Sequence, residues 1–265
     1  KIKKIINKKN IDLIIHLAAN LIISEGEKKP NKYYKNNVIG TKKLLSACQN
    51  TFIKNFIFSS TAAVYKDGQY KVNENSIIKP QSVYGKTKIQ GEKLIKSFCK
   101  KNKINYGILR YFNIAGSSPS GKIGLLNKSD NLFKNYSKQI MKKKPTLKIY
   151  GGDYNTKDGS CIRDFIHVSD IAEIHYKVLN QIDKTKKSKV LNCGYNKGNS
   201  VLDVAKEFKR QSSKKVKILF IKRRKGDLVK IIASNKKLMK FIKWRPKYNK
   251  LSKIVQSCLN WEKKQ

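Results

Sequence analysis

At 265 residues, 39% of them apolar, the chain is long enough to bury a core as one large domain or two smaller ones. No run of about 18 apolar residues exists, which argues against a membrane-spanning helix, and the opening KIKKIINKKN is too polar for a secretory signal. The net charge of +43 invites a nucleic-acid reading, but only six of the 60 basic residues are Arg, and Lys is spread along the whole chain with Ile and Asn. Phosphate and base recognition leans on the Arg fork, so no specific nucleic-acid binding is expected.

The first apolar run, residues 11–17 (IDLIIHL), reads as a strand buried on both faces, as in a parallel sheet. Residues 30–50 carry apolar positions at helical spacing with Pro near the start, which predicts a helix. Residues 56–58 form the next strand, running into Ser59-Ser60-Thr61. A helix opens at Tyr84 and continues to about residue 101, and residues 106–113 form a third strand. Strand, helix, strand, helix, strand within about 100 residues predicts a doubly wound parallel sheet with its ligand crevice beyond the carboxyl ends of the strands.

After Asn113 the texture changes. Residues 115–130 read as a loop, 131–143 as a helix and 147–150 as a strand. A Gly/Asp/Asn loop and the run 161–168 follow, then a helix to residue 182 capped by Ser169 or Asp170. A strand at 190–193, a helix at 201–211, a strand at 216–221 and helices at 235–242 and 251–264 complete a smaller mixed α/β part.

Tyr84 and Lys88 stand four apart, so on a helix they share one face. A neighbouring ammonium favours a phenolate and should lower the tyrosine pKa, which would make Tyr84 a proton shuttle. The spacing alone is weak in so lysine-rich a chain. The five cysteines are scattered, odd in number and lack a C-x-x-C, which argues against disulfides and zinc. No pair of His16, His167 and His175 has metal-ligand spacing, so all three are expected to pack or hydrogen-bond.

The segments IDLIIHLAA, KPNKYYKNNVIGT, KNFIFSSTAAVY, SVYGKTK, LRYFNIAG, LKIYGGDYNTKDGSCIRDFIHVSDIAEIH, LNCGYNKGNSV and RRKGD together resemble the UDP-glucose 4-epimerase family of the extended short-chain dehydrogenase/reductase superfamily. The resemblance spans residues 11–261. It implies an α/β fold: a Rossmann-like doubly wound parallel sheet, N-terminally truncated, with a smaller mixed α/β substrate domain. Residues 1–115, with returns from about 161–195, would be the remainder of the NAD-binding domain, and 116–265 mainly the UDP-sugar domain. The implied activity is inversion of C4 of a UDP-hexose with bound NAD, in a cytoplasmic homodimer.

By the same resemblance, Tyr84 is the catalytic base, Lys88 its partner on the nicotinamide ribose, and Thr61 the hydroxyl on the sugar 4-oxygen. Ala18, Ala19, Asn37, Ser59 and Tyr111 join Tyr84 and Lys88 around the cofactor. Asn113, Asn131, Leu132, Lys148 and Tyr150 would meet the UDP-sugar, while Arg163 and Arg224 grip its diphosphate and Asp227 its ribose. The scarcity of Arg supports the diphosphate pair, because phosphate oxygens match the guanidinium fork. Read without the resemblance, Thr61 is equally a turn cap, Asn37 a polar helix residue, Asn113 a strand-end turn residue and Tyr150 a core or strand-surface residue.

One departure is large. The dinucleotide fingerprint, G-x-x-G-x-x-G between a strand and a helix, is absent; Gly26, Gly40, Gly68, Gly85 and Gly91 are isolated. The expectation is a fragment lacking about 60 residues, two βαβ-like units, with an apolar edge at residues 11–17. Two alternatives stand beside the epimerase. One is a sibling dehydratase or decarboxylase, disfavoured because Thr61-Ala62-Ala63 offers no acid. The other is a non-catalytic remnant that adheres to polyanions.

Overall fold

The computed structural model describes residues 1–126, 131–224 and 227–265. In chain order the first part comprises α1 (Ile2–Lys8), β1 (Leu13–His16), α2 (Ile23–Lys28), α3 (Pro30–Tyr33), a π-helical turn at Tyr34–Ile39, α4 (Gly40–Cys48), β2 (Asn55–Thr61), β3 (Lys71–Val72), α5 (Val83–Lys101) and β4 (Asn105–Tyr111). There follow β5 (Asn113–Ala115), α6 (Leu132–Met141), β6 (Thr146–Tyr150), β7 (Ile162–Arg163), β8 (Phe165–His167), α7 (Val168–Thr185) and β9 (Lys189–Cys193). The chain closes with β10 (Asn199–Ser200), α8 (Val201–Arg210), β11 (Lys217–Ile221), β12 (Lys230–Ala233), α9 (Lys236–Ile242) and α10 (Leu251–Glu262).

The main sheet has the order β1-β2-β4-β9, and every pairing in it is parallel. Side chains alternate across a strand, and β2 uses both faces. Phe56 and Phe58 pack with Leu45, Ile95 and Cys99 beneath α4 and α5. Ile57 points the other way, into Ile174, Val178, Ile182 and Trp244 beneath α7 and α9. Helices on both faces of a parallel sheet give the doubly wound Rossmann-like arrangement that the sequence predicts.

The smaller part is built on the parallel pair β6–β11. Helices α6, α8 and α10 close over it around Phe133, Tyr136, Leu147, Ile149 and Phe208. Phe133 makes edge contacts with both Phe165 and Phe208, at ring-centroid distances of 5.1 and 5.7 Å. A small mixed sheet, β10-β7-β12-β3, ties this part to the segment before α5.

Several expectations change. Strand β1 is not buried on both faces but forms the apolar edge expected at residues 11–17: among the described residues β2 is its one sheet partner, and Ile15 and Leu17 are 43% and 59% exposed. The helix α7 is capped not by Ser169 or Asp170 but by His167, whose ring nitrogen accepts from the Ser169 amide at 3.1 Å. Asp170 is instead buried, accepting from the backbone amides of Lys247 and Tyr248 and from the Tyr195 hydroxyl. Helices α1 and α2 and strands β3 and β12 had no clear periodicity to announce them. The end of the loop at 115–130, residues 127–130, lies outside the described residues, as do Lys225 and Gly226.

A parallel strand paired on one side leaves a row of amides open to water. Hydrogen exchange is therefore expected to be faster across 13–16 than across 56–60 of β2, which is paired on both sides. Equal protection of the two strands, read by mass spectrometry, would contradict the edge position of β1.

Candidate active site

Helix α5 begins where it does because the Ser82 hydroxyl accepts from the Gly85 amide at 3.1 Å. That start sets Tyr84 and Lys88 on one face, turned toward the end of β2. Gly85 permits the close approach: a Cβ there would stand 2.4 Å from the Ala63 carbonyl oxygen. The helix consequently presses on the turn at Ala62–Val64, which brings Tyr84 beside the Thr61 hydroxyl. Thr61 also caps that turn, accepting from the Ala63 amide at 3.2 Å. Its two readings are therefore not exclusive.

Lys88 is buried, and its Nζ donates to the Ser59 carbonyl at 2.6 Å. The ammonium lies 5.9 Å from the Tyr84 ring centroid and 4.9 Å from that of Phe58. The expected lowering of the Tyr84 pKa does not occur. Burial pushes the phenol up to about 12, and the neighbouring Thr61 hydroxyl only moderates it. Burial likewise pushes Lys88 down to about 8, opposed by the charge of Glu92. Helical spacing foretold the proximity but not the desolvation, which acts against both charged forms.

The remaining cofactor-side residues surround the same strand ends. Ala18 and Ala19 follow β1 and leave its end open, Ala18 being exposed. Asn37, in the π-helical turn, has both ends of its amide engaged: Oδ1 accepts from the Asn20 amide at 2.8 Å, and Nδ2 donates to the Asn20 carbonyl at 2.9 Å and to Thr87 Oγ1 at 3.1 Å. It clasps the turn after β1 onto α5. Tyr111 ends β4 directly opposite Thr61. Ser59, two residues before Thr61 on the same strand, is buried.

These residues fit the nicotinamide end of a dinucleotide: small side chains at β1, a buried ammonium and a hydroxyl pair at β2. For the diphosphate end the sequence supplies no glycine-rich turn between strand and helix.

The predicted substrate residues meet in one cleft, bordered by β5, α6, β6 and β7. Asn113, Asn131, Leu132, Lys148, Tyr150, Arg163, Arg224 and Asp227 all line it. The Arg224 guanidinium lies 3.7 Å from the Tyr150 ring centroid, a stacked arrangement. Arg163 Nη2 stands 3.9 Å from Asp227 Oδ1, while its Nη1 donates to the Ile162 carbonyl at 3.0 Å. Asn131 caps α6 by accepting from the Lys134 amide at 3.1 Å and donates to the Ile114 carbonyl at 3.2 Å. Arg223, which neighbours Arg224, turns away to pair with Asp153 at 2.6 Å.

Sequence reasoning missed the apolar lining of this cleft, Phe133, Cys161, Phe165 and Val201. Apolar residues in ordinary core periodicity carry no signal that they face a cleft. It also missed Glu92, which is fully buried between Arg110 and Ser60 near the end of β2.

Residues 1–194 match the NAD dependent epimerase/dehydratase family. A UDP-glucose 4-epimerase of Halalkalibacterium halodurans is 37% identical over 96% of this chain and 77% of its own length. One of Azospirillum brasilense is 34% identical over 98% of this chain and 75% of its own length. Among solved structures, the UDP-glucose 4-epimerase of Bifidobacterium longum in complex with NAD+ and UDP superposes with a TM-score of 0.91 at 31% identity, covering 99% of this chain and 79% of that one. With a doubly wound sheet, a Tyr–Lys pair at the end of β2 and matches of this extent, the chain belongs to the NAD dependent epimerase/dehydratase family.

Proposed function

We propose that this chain carries UDP-hexose 4-epimerase chemistry, interconverting UDP-glucose and UDP-galactose through a 4-keto sugar with bound NAD. The observation that carries this reading is that one strand end joins two sites: Tyr111 stands opposite Thr61, and Asn113 lines the cleft. One is a Tyr–Thr–Lys cluster at the carboxyl ends of the strands; the other is a cleft holding two arginines, an aspartate and Tyr150. Similarity to UDP-glucose 4-epimerases supports it independently.

Nicotinamide bound beside the Tyr–Lys cluster would supply reversible hydride uptake and a positive charge. Tyr84 takes the proton of the sugar 4-hydroxyl and later returns it. Thr61 holds that oxygen through its hydroxyl, which stands beside Tyr84. Lys88 keeps a positive charge at the same end of the site, anchored on the Ser59 carbonyl. Arg163 and Arg224 bind the diphosphate, Asp227 a ribose hydroxyl, and the Tyr150 side the uracil. Placing the binding contacts on the nucleotide leaves the hexose free to turn between two orientations about the same oxygen.

In this reading residues 1–115, with returns from about 161–195, serve the cofactor, and 116–265 serve mainly the UDP-sugar. A homodimer is included on the family resemblance. A cytoplasmic location is included because five free, buried cysteines suit a reducing compartment. Among the described residues no helix is long and apolar enough to cross a membrane.

The diphosphate role has a direct test. Arg224→Lys keeps the charge but loses the planar fork and its stacking on Tyr150. Hydrogen bonds to charged groups contribute about 1.5–3 kcal/mol, so UDP affinity by calorimetry should fall about 10- to 100-fold. Unchanged affinity would remove Arg224 from the diphosphate site.

A further inference from the structure

The three histidines differ in a way that their hydrogen bonds determine. His16 Nε2 faces Thr41 Oγ1 at 2.9 Å, and Thr41 donates its own proton to the Asn37 carbonyl, so His16 must carry its proton on Nε2. His167 Nδ1 accepts from the Ser169 amide and its Nε2 faces Ser257 Oγ at 3.1 Å. Ser257 donates to the Ile254 carbonyl, so His167 too is protonated on Nε2. His175 is the reverse. Its Nδ1 stands 2.8 Å from the Ile171 carbonyl, which can only accept, so Nδ1 carries the proton. Nε2 is then a bare acceptor, and the Tyr111 hydroxyl lies 2.6 Å from it.

We infer that His175 is a positioning residue for the nicotinamide side of the site: through this tautomer it draws the Tyr111 hydroxyl proton into the protein and holds the Tyr111 oxygen as an acceptor. The chain runs Tyr111 O–H to His175 Nε2 and His175 Nδ1–H to the Ile171 carbonyl. In the opposite tautomer His175 would donate to Tyr111, and the Tyr111 proton would turn away from His175. Tyr111 stands opposite Thr61 in the sheet, so its ring is held at the rim of the catalytic cluster. Burial lowers the pKa of His175, which keeps the imidazole neutral as this chain requires. The bearing on catalysis rests on the epimerase reading; the tautomer does not.

The experiment uses the full chain labelled with 15N. Long-range imidazole correlation spectra at neutral pH should show two rings protonated on Nε2 and one on Nδ1. The Nδ1-protonated pattern should vanish in His175→Gln. In Tyr111→Phe its Nε2 signal should move toward that of an unbonded basic nitrogen. In turnover, His175→Leu should lower kcat by about tenfold, the scale of one hydrogen bond lost with its partner left buried, with the KM for UDP-sugar unchanged. His175→Gln, which offers an acceptor again, should recover part of the loss. A His175 protonated on Nε2, or one indifferent to Tyr111→Phe, overturns the proposal. So does a His175→Leu variant with wild-type kcat. If the unmodified chain turns over no UDP-sugar, the epimerase reading fails, and the two spectral results alone decide this one.

Discussion

Tyr84→Phe is expected to lower kcat for C4 inversion by about 10²–10⁴-fold, the usual contribution of a positioned acid–base group. UDP affinity should be unchanged. The substitution removes one oxygen and leaves the ring packing on the face shared with Lys88. The lost oxygen is the one in contact with the Thr61 hydroxyl. Because burial holds the phenol up near 12, the chain's own residues leave it protonated at neutral pH. Lys88 alone does not generate the phenolate, since its ammonium is drawn to the Ser59 carbonyl. A positive charge bound beside the phenol is what the proposed cofactor adds. Single-turnover rates compared with UDP calorimetry separate the two effects. A Tyr84→Phe variant that retains kcat would remove Tyr84 from the chemistry.

Glu92→Ala is expected to cost about 3–5 kcal/mol of stability, the range for breaking a buried ion pair from one side. Against a typical total of about 5–15 kcal/mol that leaves a marginal fold. Glu92 is fully buried and Arg110 only 3% exposed. The pair is bidentate, with Nε to Oε1 at 2.9 Å and Nη2 to Oε2 at 2.8 Å. Oε1 also accepts from Ser60 at 2.5 Å, and Arg110 Nη1 donates to the Tyr65 hydroxyl at 3.0 Å. Removing the carboxylate strands a guanidinium where water cannot reach it. The double variant Glu92→Leu/Arg110→Met removes both charges and should recover most of the loss in urea denaturation. Equal stability of Glu92→Ala and the unmodified chain would contradict a buried pair.

The same network shows why part of the site could not be read from the sequence. Glu92 sits on α5 among lysines, where a single carboxylate reads as one more solvated charge. What buries it is Arg110, 18 residues away on β4, and Ser60, 32 residues away on β2. Nothing local announces such a contact. His175 fails to stand out for a similar reason, since its meaning depends on Tyr111, 64 residues away. The elements that are legible carry strong local signals: the continuous apolar run of β2, the helical pattern of α5 from Tyr84, and the Gly/Asn-rich loops between strands. The cleft residues were legible through the family resemblance, to which composition added support for the arginines alone, because Arg is rare in a chain that otherwise uses Lys. Strand β1 was read correctly in type; its apolar run alone suggested burial on both faces, whereas the absent glycine-rich unit pointed to the apolar edge that is found.

The most direct test is product analysis after the chain is incubated with NAD and UDP-galactose. UDP-glucose is the expected product, approached equally from UDP-glucose as starting material. A 4-keto-6-deoxy sugar in its place, or no conversion at all, would contradict the epimerase assignment.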